Sequence, residues 1–429
     1  MAATVREHPA LRALTVPNFR RYFVGDLVSM TGGFVQSITL VWLILELGGS
    51  AIDIALLLSI QNFPSLVLAP VGGTIADRFD NRKLLIGLQV FGAAQATFIA
   101  TLTATGVVTI PWIMVSASIL GVWVAFHFPA AQALRYELVT SEELSSAIGL
   151  GSMTMSVGRL LGPMVAGVLL ALTDVATACY FDACTFLFFI VMLVSIRPGE
   201  LRERRAADRS AVTLRDGFRY VWQRPDLRLV LVAVALISML AYNMNLMTPA
   251  MTRIEFGGSS TAYAVVAATT GFAGLIGGLL AATIAWPTLR IWGLLGIGFG
   301  APLLLSSLSP GIAVFALFFA ALGLASAAFW AVAQMYLQHR TEGEFQGRVM
   351  SLYTMAWGGT TIFGALAIGA LIDAVSPRAA LVVGGVVTLS VSAFVLWWAR
   401  REQSRHRGRS YDDDQTTMGR LPNPRTLLE

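Results

Sequence analysis

Residues 19–47 read FRRYFVGDLVSMTGGFVQSITLVWLILEL. Past Arg21 only Asp26 and Glu46 carry charge in this run. At about 1.5 Å of rise per residue, a helix of this length crosses a hydrocarbon core of about 30 Å. The run is too long for the apolar core of a signal peptide, and no small-residue cleavage site follows it. Similar runs recur down the chain. The first six lie at 19–47, 52–76, 83–105, 108–131, 146–172 and 174–196. Six more lie at 228–250, 260–286, 289–308, 311–337, 347–373 and 378–399. Composition agrees: 56% of residues are hydrophobic and 13% charged, with a mean hydropathy of +0.69. A soluble domain carries about 25% charged residues. The chain therefore lacks the charge to cover a soluble surface, which excludes a soluble enzyme, a disordered chain and a nucleic-acid binder. Segments this long are helices rather than barrel strands, so the expected class is an all-α membrane protein with twelve transmembrane helices.

The rest of the chain divides around the spans. Residues 1–18 form a polar N-segment, 19–196 and 228–399 the two sets of six helices, 197–227 an arginine-rich linker, and 400–429 a tail expected to be disordered. With the N-terminus inside, 27 of the 30 Lys and Arg residues fall on the cytoplasmic side. Arg253 and Arg378 fall outside, and Arg159 falls within a span. This asymmetry predicts that both termini are cytoplasmic. It also accounts for the net charge of +5 and the pI near 9.5 without an acidic ligand. Cys179 and Cys184 are separated on one helix by about 7.5 Å of rise, beyond disulfide reach, and no metal-ligand spacing is present.

The two halves repeat. Pro17-Asn-Phe-Arg20 before the first span matches Pro225-Asp-Leu-Arg228 before the seventh. Gly72-Gly73 matches Gly277-Gly278. Gln132, Gly162 and Gly167 match Gln334, Gly364 and Gly369 at one constant offset. Two six-helix bundles in parallel orientation are the layout of major facilitator transporters. Two local motifs carry the resemblance further. Gly73-Thr-Ile-Ala-Asp77-Arg78-Phe-Asp80-Asn81-Arg82-Lys83 is similar to that superfamily's signature between helices two and three, with Asp80 in place of the usual glycine and Asn81 in place of an arginine. There glycine admits a neighbouring backbone, and Asp77 can cap the next helix and take a cation. The resemblance implies conformational gating by Gly73, Asp77, Arg78 and Arg82. Read by itself, the stretch is a basic turn that fixes topology. In the fifth span, Gly149, Gly158, Gly162-Pro163, Ala166 and Gly167 resemble the glycine–proline signature of drug antiporters, with Ala166 for one glycine. Small residues allow close helix contact and proline loosens the helix, which also suits ordinary packing.

Three charges lie at membrane depth: Asp26, Arg159 and Asp182. Each costs about 2.5–3.5 kcal/mol near the centre on insertion scales, so each needs a partner, water or a function. Asp26, Ser29, Gly33 and Gln36 form a polar stripe on the first span. Asp26 is the candidate proton or cation site; the alternative is a structural pair with Arg21 or Arg159. Leu120 to Ala133 in the fourth span holds no Arg or Lys. The arginine usual there in proton-coupled exporters is thus missing, and Arg159 is left as the substitute. Asp182 reads as a packing residue and His127 as a hydrogen-bonded histidine that can titrate near neutral pH. Gln61, Asn62, Asn243 and Asn245 are further polar groups at depth, and Tyr353 and Trp357 offer aromatic surface to an amphipathic cargo. Trp397 and Trp398 read as interfacial anchors.

Phe34-Val-Gln36, Val41 to Leu47, Gln61 to Pro64, Phe128 to Gln132 and Gly347 to Tyr353 resemble the branch of the superfamily that contains enterobactin-exporter-like and macrolide-efflux-like drug–proton antiporters. The resemblance implies a secondary transporter in a bacterial cytoplasmic (inner) membrane. It would export a small amphipathic compound, a drug, siderophore or secreted metabolite, by alternating access in exchange for protons. The implied partners are the cargo, protons and membrane lipids, without nucleic acid, cofactor, metal or a required oligomer. Two alternatives stay open: a metabolite importer or facilitator without proton coupling, and a non-transporting scaffold or sensor. No nucleotide-binding loop and no nucleophile–base constellation is present, so no enzyme activity is expected.

Overall fold

The computed structural model describes residues 9–202, 214–342 and 345–418. The start of the N-segment, most of the arginine-rich linker and the end of the tail lie outside the described residues. Among the described residues the chain is all helical. The first half contains α1 (Pro17–Glu46), α2 (Ala51–Arg78), α3 (Asn81–Ala104), α4 (Ile110–Leu138), α5 (Leu144–Leu172) and α6 (Val175–Val194). A short α7 (Leu214–Gln223) precedes the second half. That half contains α8 (Pro225–Leu240), α9 (Met244–Ala250), α10 (Ser260–Ala282), α11 (Leu289–Ser306), α12 (Ile312–Arg340), α13 (Gln346–Thr354), α14 (Thr360–Ala374) and α15 (Pro377–Met418). Eleven helical stretches are long and apolar enough to cross a membrane; α2 adds a further helix of 28 residues.

The helix starts follow from local chemistry. Pro17 opens α1, where its missing N–H costs nothing. Ser50 and Asp53 form a reciprocal capping box on α2. Asp80 accepts from Lys83 N at 3.0 Å and caps α3. The acid that departs from the loop signature is thus the cap, and Asp77, expected there, lies in the last turn of α2. Asp174 caps α6 by accepting from Thr177 N at 2.7 Å, and this hydrogen bond holds its carboxyl below the usual range.

Two spans expected to be continuous are interrupted. In the seventh, the Asn243 amide donates to Met239 O at 2.9 Å and takes a carbonyl that the backbone would otherwise use. The helix stops at Leu240, restarts at Met244 and ends in a π turn, Met251–Glu255. In the eleventh, a π turn at Met355–Gly359 separates α13 from α14. There Ser238 donates to Trp357 O at 2.5 Å, and Thr361 donates to the same carbonyl at 2.7 Å. Such insertions often mark functional sites. At the other end, α15 continues through Met418. Over 400–418 the tail is thus helical where disorder was expected; it has no proline, although Ser404, Gly408, Ser410, Asp412 to Asp414, Thr416 and Thr417 are weak helix formers.

Within the first half, α1 packs on α5 and α6, α2 on α4, and α3 on α4 and α6. Within the second, α10 packs on α12, α11 on α12 and α15, and α8 on α14. The matched glycines serve the same contact in each half. A methyl at Gly72 would fall on Ala125 O of α4, and one at Gly277 on Leu324 O of α12. Their neighbours Gly73 and Gly278 face open space. Gly72→Ala and Gly277→Ala should each lower the thermal unfolding temperature of the purified protein, because overpacking costs about 1–3 kcal/mol. Gly73→Ala and Gly278→Ala should not. Equal effects within each pair would contradict this packing.

The halves meet through α5 against α10 and α2 against α14. Gly167 lies on Ala264. Both carboxylate oxygens of Asp373 accept backbone N–H groups of α2, from Ala51 and Ile52, each at 2.9 Å. Trp42 of α1 stacks on Tyr263 of α10 with ring centroids 5.9 Å apart. Arg253 lies 5.6 Å from the Trp42 ring centroid. All of these contacts lie in the part of the molecule away from the N-terminus.

Candidate functional site

The first half encloses a polar cluster built from four helices. On α1, Tyr22, Asp26 and Ser29 follow each other at i, i+4 and i+7, one face of the helix. Gln89 comes from α3, His127 and Arg135 from α4, and Thr154 from α5. Asp26 is 1% exposed. Its Oδ2 accepts from Thr154 Oγ1 at 3.1 Å and lies 3.6 Å from Arg135 Nη2. Its Oδ1 lies 3.7 Å from His127 Nε2 and has no hydrogen-bond partner. Arg135 also donates from Nε to Tyr22 OH at 3.1 Å. His127 stacks on Trp123 with centroids 4.2 Å apart, and its Nδ1 lies 3.3 Å from Gln89 Nε2. A carboxylate sealed from water is costly unless paired. Here an arginine and an imidazole flank it, and one oxygen remains free to take a proton.

These partners differ from those expected. Arg21 instead donates to Asn18 Oδ1 at 3.1 Å and Ser195 O at 2.8 Å. Arg159 is exposed and makes no ion pair with a described residue. Its role as substitute for a missing fourth-span arginine is therefore corrected. The fourth span does not end at 131; α4 runs to Leu138 and carries Arg135. The signal in the sequence was the spacing of eight between His127 and Arg135, two turns along one face. A cavity of about 150 Å³ opens beside Arg135, lined by Gln132, Tyr136, Leu144, Ile148 and Ser152 as well.

The other expected residues scatter. Gln36 is fully buried and neither amide atom has a hydrogen-bond partner, so it does not line a cavity. Asn62 is exposed and donates to Leu58 O of its own helix at 2.7 Å. Asp182 is buried, with Oδ1 accepting from Thr185 Oγ1 at 3.2 Å, and Gly32 of α1 presses against it. Tyr353 and Trp357 belong to a second cluster, in the other half, while the Asn243 side chain is buried and bonds only Met239 O among the described residues. Tyr242 lies 5.1 Å from Trp330 and 6.2 Å from Trp357. Tyr353 donates to Trp330 O at 3.3 Å. The indole N–H groups of Trp330 and Trp357 have no partner. Trp330 and Tyr242 were not singled out in the sequence; aromatic residues at helical spacing carry no signal of their own there.

In the loop after α2, Arg82 donates to Leu193 O and Val194 O, both at 2.8 Å, and so closes the end of α6. Asp77 and Arg78 are exposed. The close backbone approach expected at Gly73 occurs at Gly72 instead. On α5, Gly158 packs on Met30 and Phe34, Gly162 on Phe34, and Gly167 across the halves on Ala264. Pro163 is buried within the helix.

Residues 9–416 match the family described as transmembrane secretion effector, a group of major facilitator transporters. The chain belongs to this family. Among relatives of this transporter, macrolide efflux protein A of Streptococcus pyogenes is 23% identical over 340 residues, covering 78% of this chain and 84% of that protein. The enterobactin exporter EntS of Escherichia coli (strain 536) is 24% identical over 391 residues, covering 89% and 92%. Among solved structures, a bacterial homolog of the human lysosomal transporter Spinster, in an inward-facing and unoccupied conformation, superposes with a TM-score of 0.67 at 14% identity, covering 90% of this chain and 97% of that one. The fold of this family member is thus that of a major facilitator transporter, a multi-pass membrane protein.

Proposed function

We propose that the protein exports a small amphipathic compound, a drug, siderophore or secreted metabolite, across the bacterial cytoplasmic membrane in exchange for protons. With α2 counted, twelve helices suit two six-helix bundles, and the distribution of basic residues supports cytoplasmic termini. The contacts between bundles then lie on the outer side, a state open to the cytoplasm. Alternating access would rock the bundles about a central site. The observation that carries the reading is Asp26, sealed between Arg135 and His127 with Oδ1 free. A proton on Asp26 removes the charge that Arg135 faces and changes the field at the neighbouring cavity. Cargo would meet that cavity on one side and the aromatic cluster of Tyr242, Trp330 and Trp357 on the other. Asp77, Arg78 and Arg82 would govern closure of the inner side. The coupling equals the difference in proton and cargo affinity between the two facing states. The relatives named for macrolide efflux and enterobactin export support the direction.

Everted membrane vesicles holding a pH gradient reported by a quenched dye test this. Macrolides, tetracyclines, lipophilic cations and catecholate siderophores are added in turn. Dequenching with one class supports proton-linked export and names the cargo class. Accumulation of cargo that ignores the gradient would replace the proposal with a facilitator.

A further inference from the structure

Histidine 127 has more around it than a packed core residue needs. Its Nδ1 faces Gln89 Nε2 at 3.3 Å, and Gln89 Oε1 accepts from Ser29 Oγ at 3.4 Å. An amide nitrogen can only donate, so Nδ1 is the acceptor in this arrangement and the ring hydrogen sits on Nε2. That nitrogen lies 3.7 Å from Asp26 Oδ1, the oxygen of this carboxylate that has no hydrogen-bond partner. Thr154 and Arg135 both serve Oδ2 instead. One oxygen is anchored and the other is reserved for His127.

We infer that His127 is a positioning residue for the proton step. The Ser29–Gln89 chain fixes its tautomer, so that Nε2–H closes on Asp26 Oδ1 and holds the carboxylate ready until a proton arrives. The inference rests on the reading of Asp26 as the proton site. The step balances simply: hydronium from the outer side gives up one O–H bond to leave water, the proton forms an O–H bond on Asp26, the Nε2–H contact is given up, and release to the cytoplasm reverses the step. The remaining groups facing His127 are few. From α1 come Asp26 and Tyr22, which interacts with Asp26 directly as well as through Arg135. From α3 comes the neutral Gln89. On its own helix Trp123 and Phe128 flank the ring, and Arg135 shares Asp26 with it. From α5 comes only Thr154, through Asp26. From α6 comes Phe189, edge-on at 6.4 Å, with Asp182 two turns away against Gly32. Among the described residues, Asp26 is therefore the acid paired with His127.

The test uses the full-length protein in nanodiscs and needs no cargo. The infrared band of protonated carboxylic acid is followed as pH is lowered, and the component lost in Asp26→Asn is assigned to Asp26. His127→Phe keeps the stacked ring but removes the donor to the carboxylate. That component should then appear at a proton concentration about tenfold lower than in the parent protein, the size expected for losing the hydrogen bond that Nε2–H makes once it closes from 3.7 Å onto the carboxylate. His127→Gln, which retains an N–H donor, should fall between the two. Ser29→Ala should move the profile in the same direction as His127→Phe, because it frees the amide that sets the tautomer. A purely structural histidine would leave the profile of folded variants in place. An unchanged profile in both His127→Phe and Ser29→Ala overturns the inference while leaving Asp26 as the proton site. Absence of any component lost in Asp26→Asn overturns the proton-site reading itself, and this inference with it.

Discussion

Asp26→Asn is expected to abolish proton-driven transport while the protein still inserts and folds. Asparagine keeps the size of the side chain and an oxygen that can accept from Thr154, which now holds Oδ2 at 3.1 Å. Arg135 loses its carboxylate but keeps Tyr22 OH at 3.1 Å and the face of the Tyr22 ring, 5.8 Å from centroid to guanidinium. It also borders a cavity that water can reach. The cost of an unpaired buried charge, about 3–5 kcal/mol when nothing replaces the partner, is therefore partly offset. What the variant lacks is the oxygen that takes the proton. Dye dequenching in everted vesicles should vanish, while downhill exchange of cargo persists. Arg159→Gln is the contrast. Arg159 is exposed and has no ion pair with a described residue, so its loss should leave gradient-dependent transport intact. Full gradient dependence retained in Asp26→Asn would remove Asp26 from the mechanism.

The reason Arg159 was the better candidate on paper, and Arg135 the better one in space, is instructive. In the sequence Arg135 sits beside Tyr136 and Glu137, where a span is expected to have ended, and it counts towards the inner positive charge. In three dimensions α4 continues past the apolar run, and the guanidinium turns back to α1. Arginine stems are long enough to reach a buried acid from a helix end. Arg159, by contrast, lies in the middle of an apolar run and reads as buried, although its face of α5 is open. Hydropathy locates the axis of a span well and says nothing of which face is covered.

Other elements were readable because their cause is local. The apolar runs, the Pro17 start and the glycine pairs at 72–73 and 277–278 all act through their own backbone or one neighbouring helix. The repeat offset placed Gly72 and Gly277 in the same slot, and the packing on Ala125 O and Leu324 O is the physical content of that match. The interruptions near Asn243 and Trp357 were not readable. Each depends on a carbonyl shared with a side chain, and at Trp357 that side chain, Ser238, belongs to another helix. Likewise the carboxylate that joins the halves at the end away from the N-terminus was not singled out, because Asp373 becomes informative only once α14 lies against α2.

Asp373→Ala is expected to shift the protein away from the conformation in which the halves are joined at the end opposite the N-terminus. The first N–H groups of any helix have no partner within it. At α2 the Ser50–Asp53 box serves the N–H groups of Ser50 and Asp53. Those of Ala51 and Ile52 are served by Asp373, from the other half of the protein. The carboxylate also meets the positive end of the helix dipole. Hydrogen bonds to a charged group contribute about 1.5–3 kcal/mol each when buried. Asp373 is exposed, so a combined loss of about 2 kcal/mol is the reasonable scale, enough to move a two-state population by roughly thirtyfold. Other links between the halves persist, among them Gly369 on Ala55, Gly167 on Ala264, Trp42 on Tyr263, Arg253 over Trp42 and a hydrogen bond from Ser59 to Ile362 O at 3.3 Å, but none of them serves the two N–H groups that Asp373 leaves. Spin labels at the exposed positions Leu47 and Val375 report the separation of the halves at this end. In the parent protein the short distance should dominate. Asp373→Ala should transfer most of the population to a longer one, and Asp373→Asn, whose amide oxygen still accepts, should fall between. Because the contact is broken whenever the halves part at this end, its strength sets how often that happens without cargo, and the alanine variant should also dissipate a cargo gradient faster than the parent. A distance distribution unchanged by both substitutions would mean that the α2–α14 packing holds the halves together without the carboxylate.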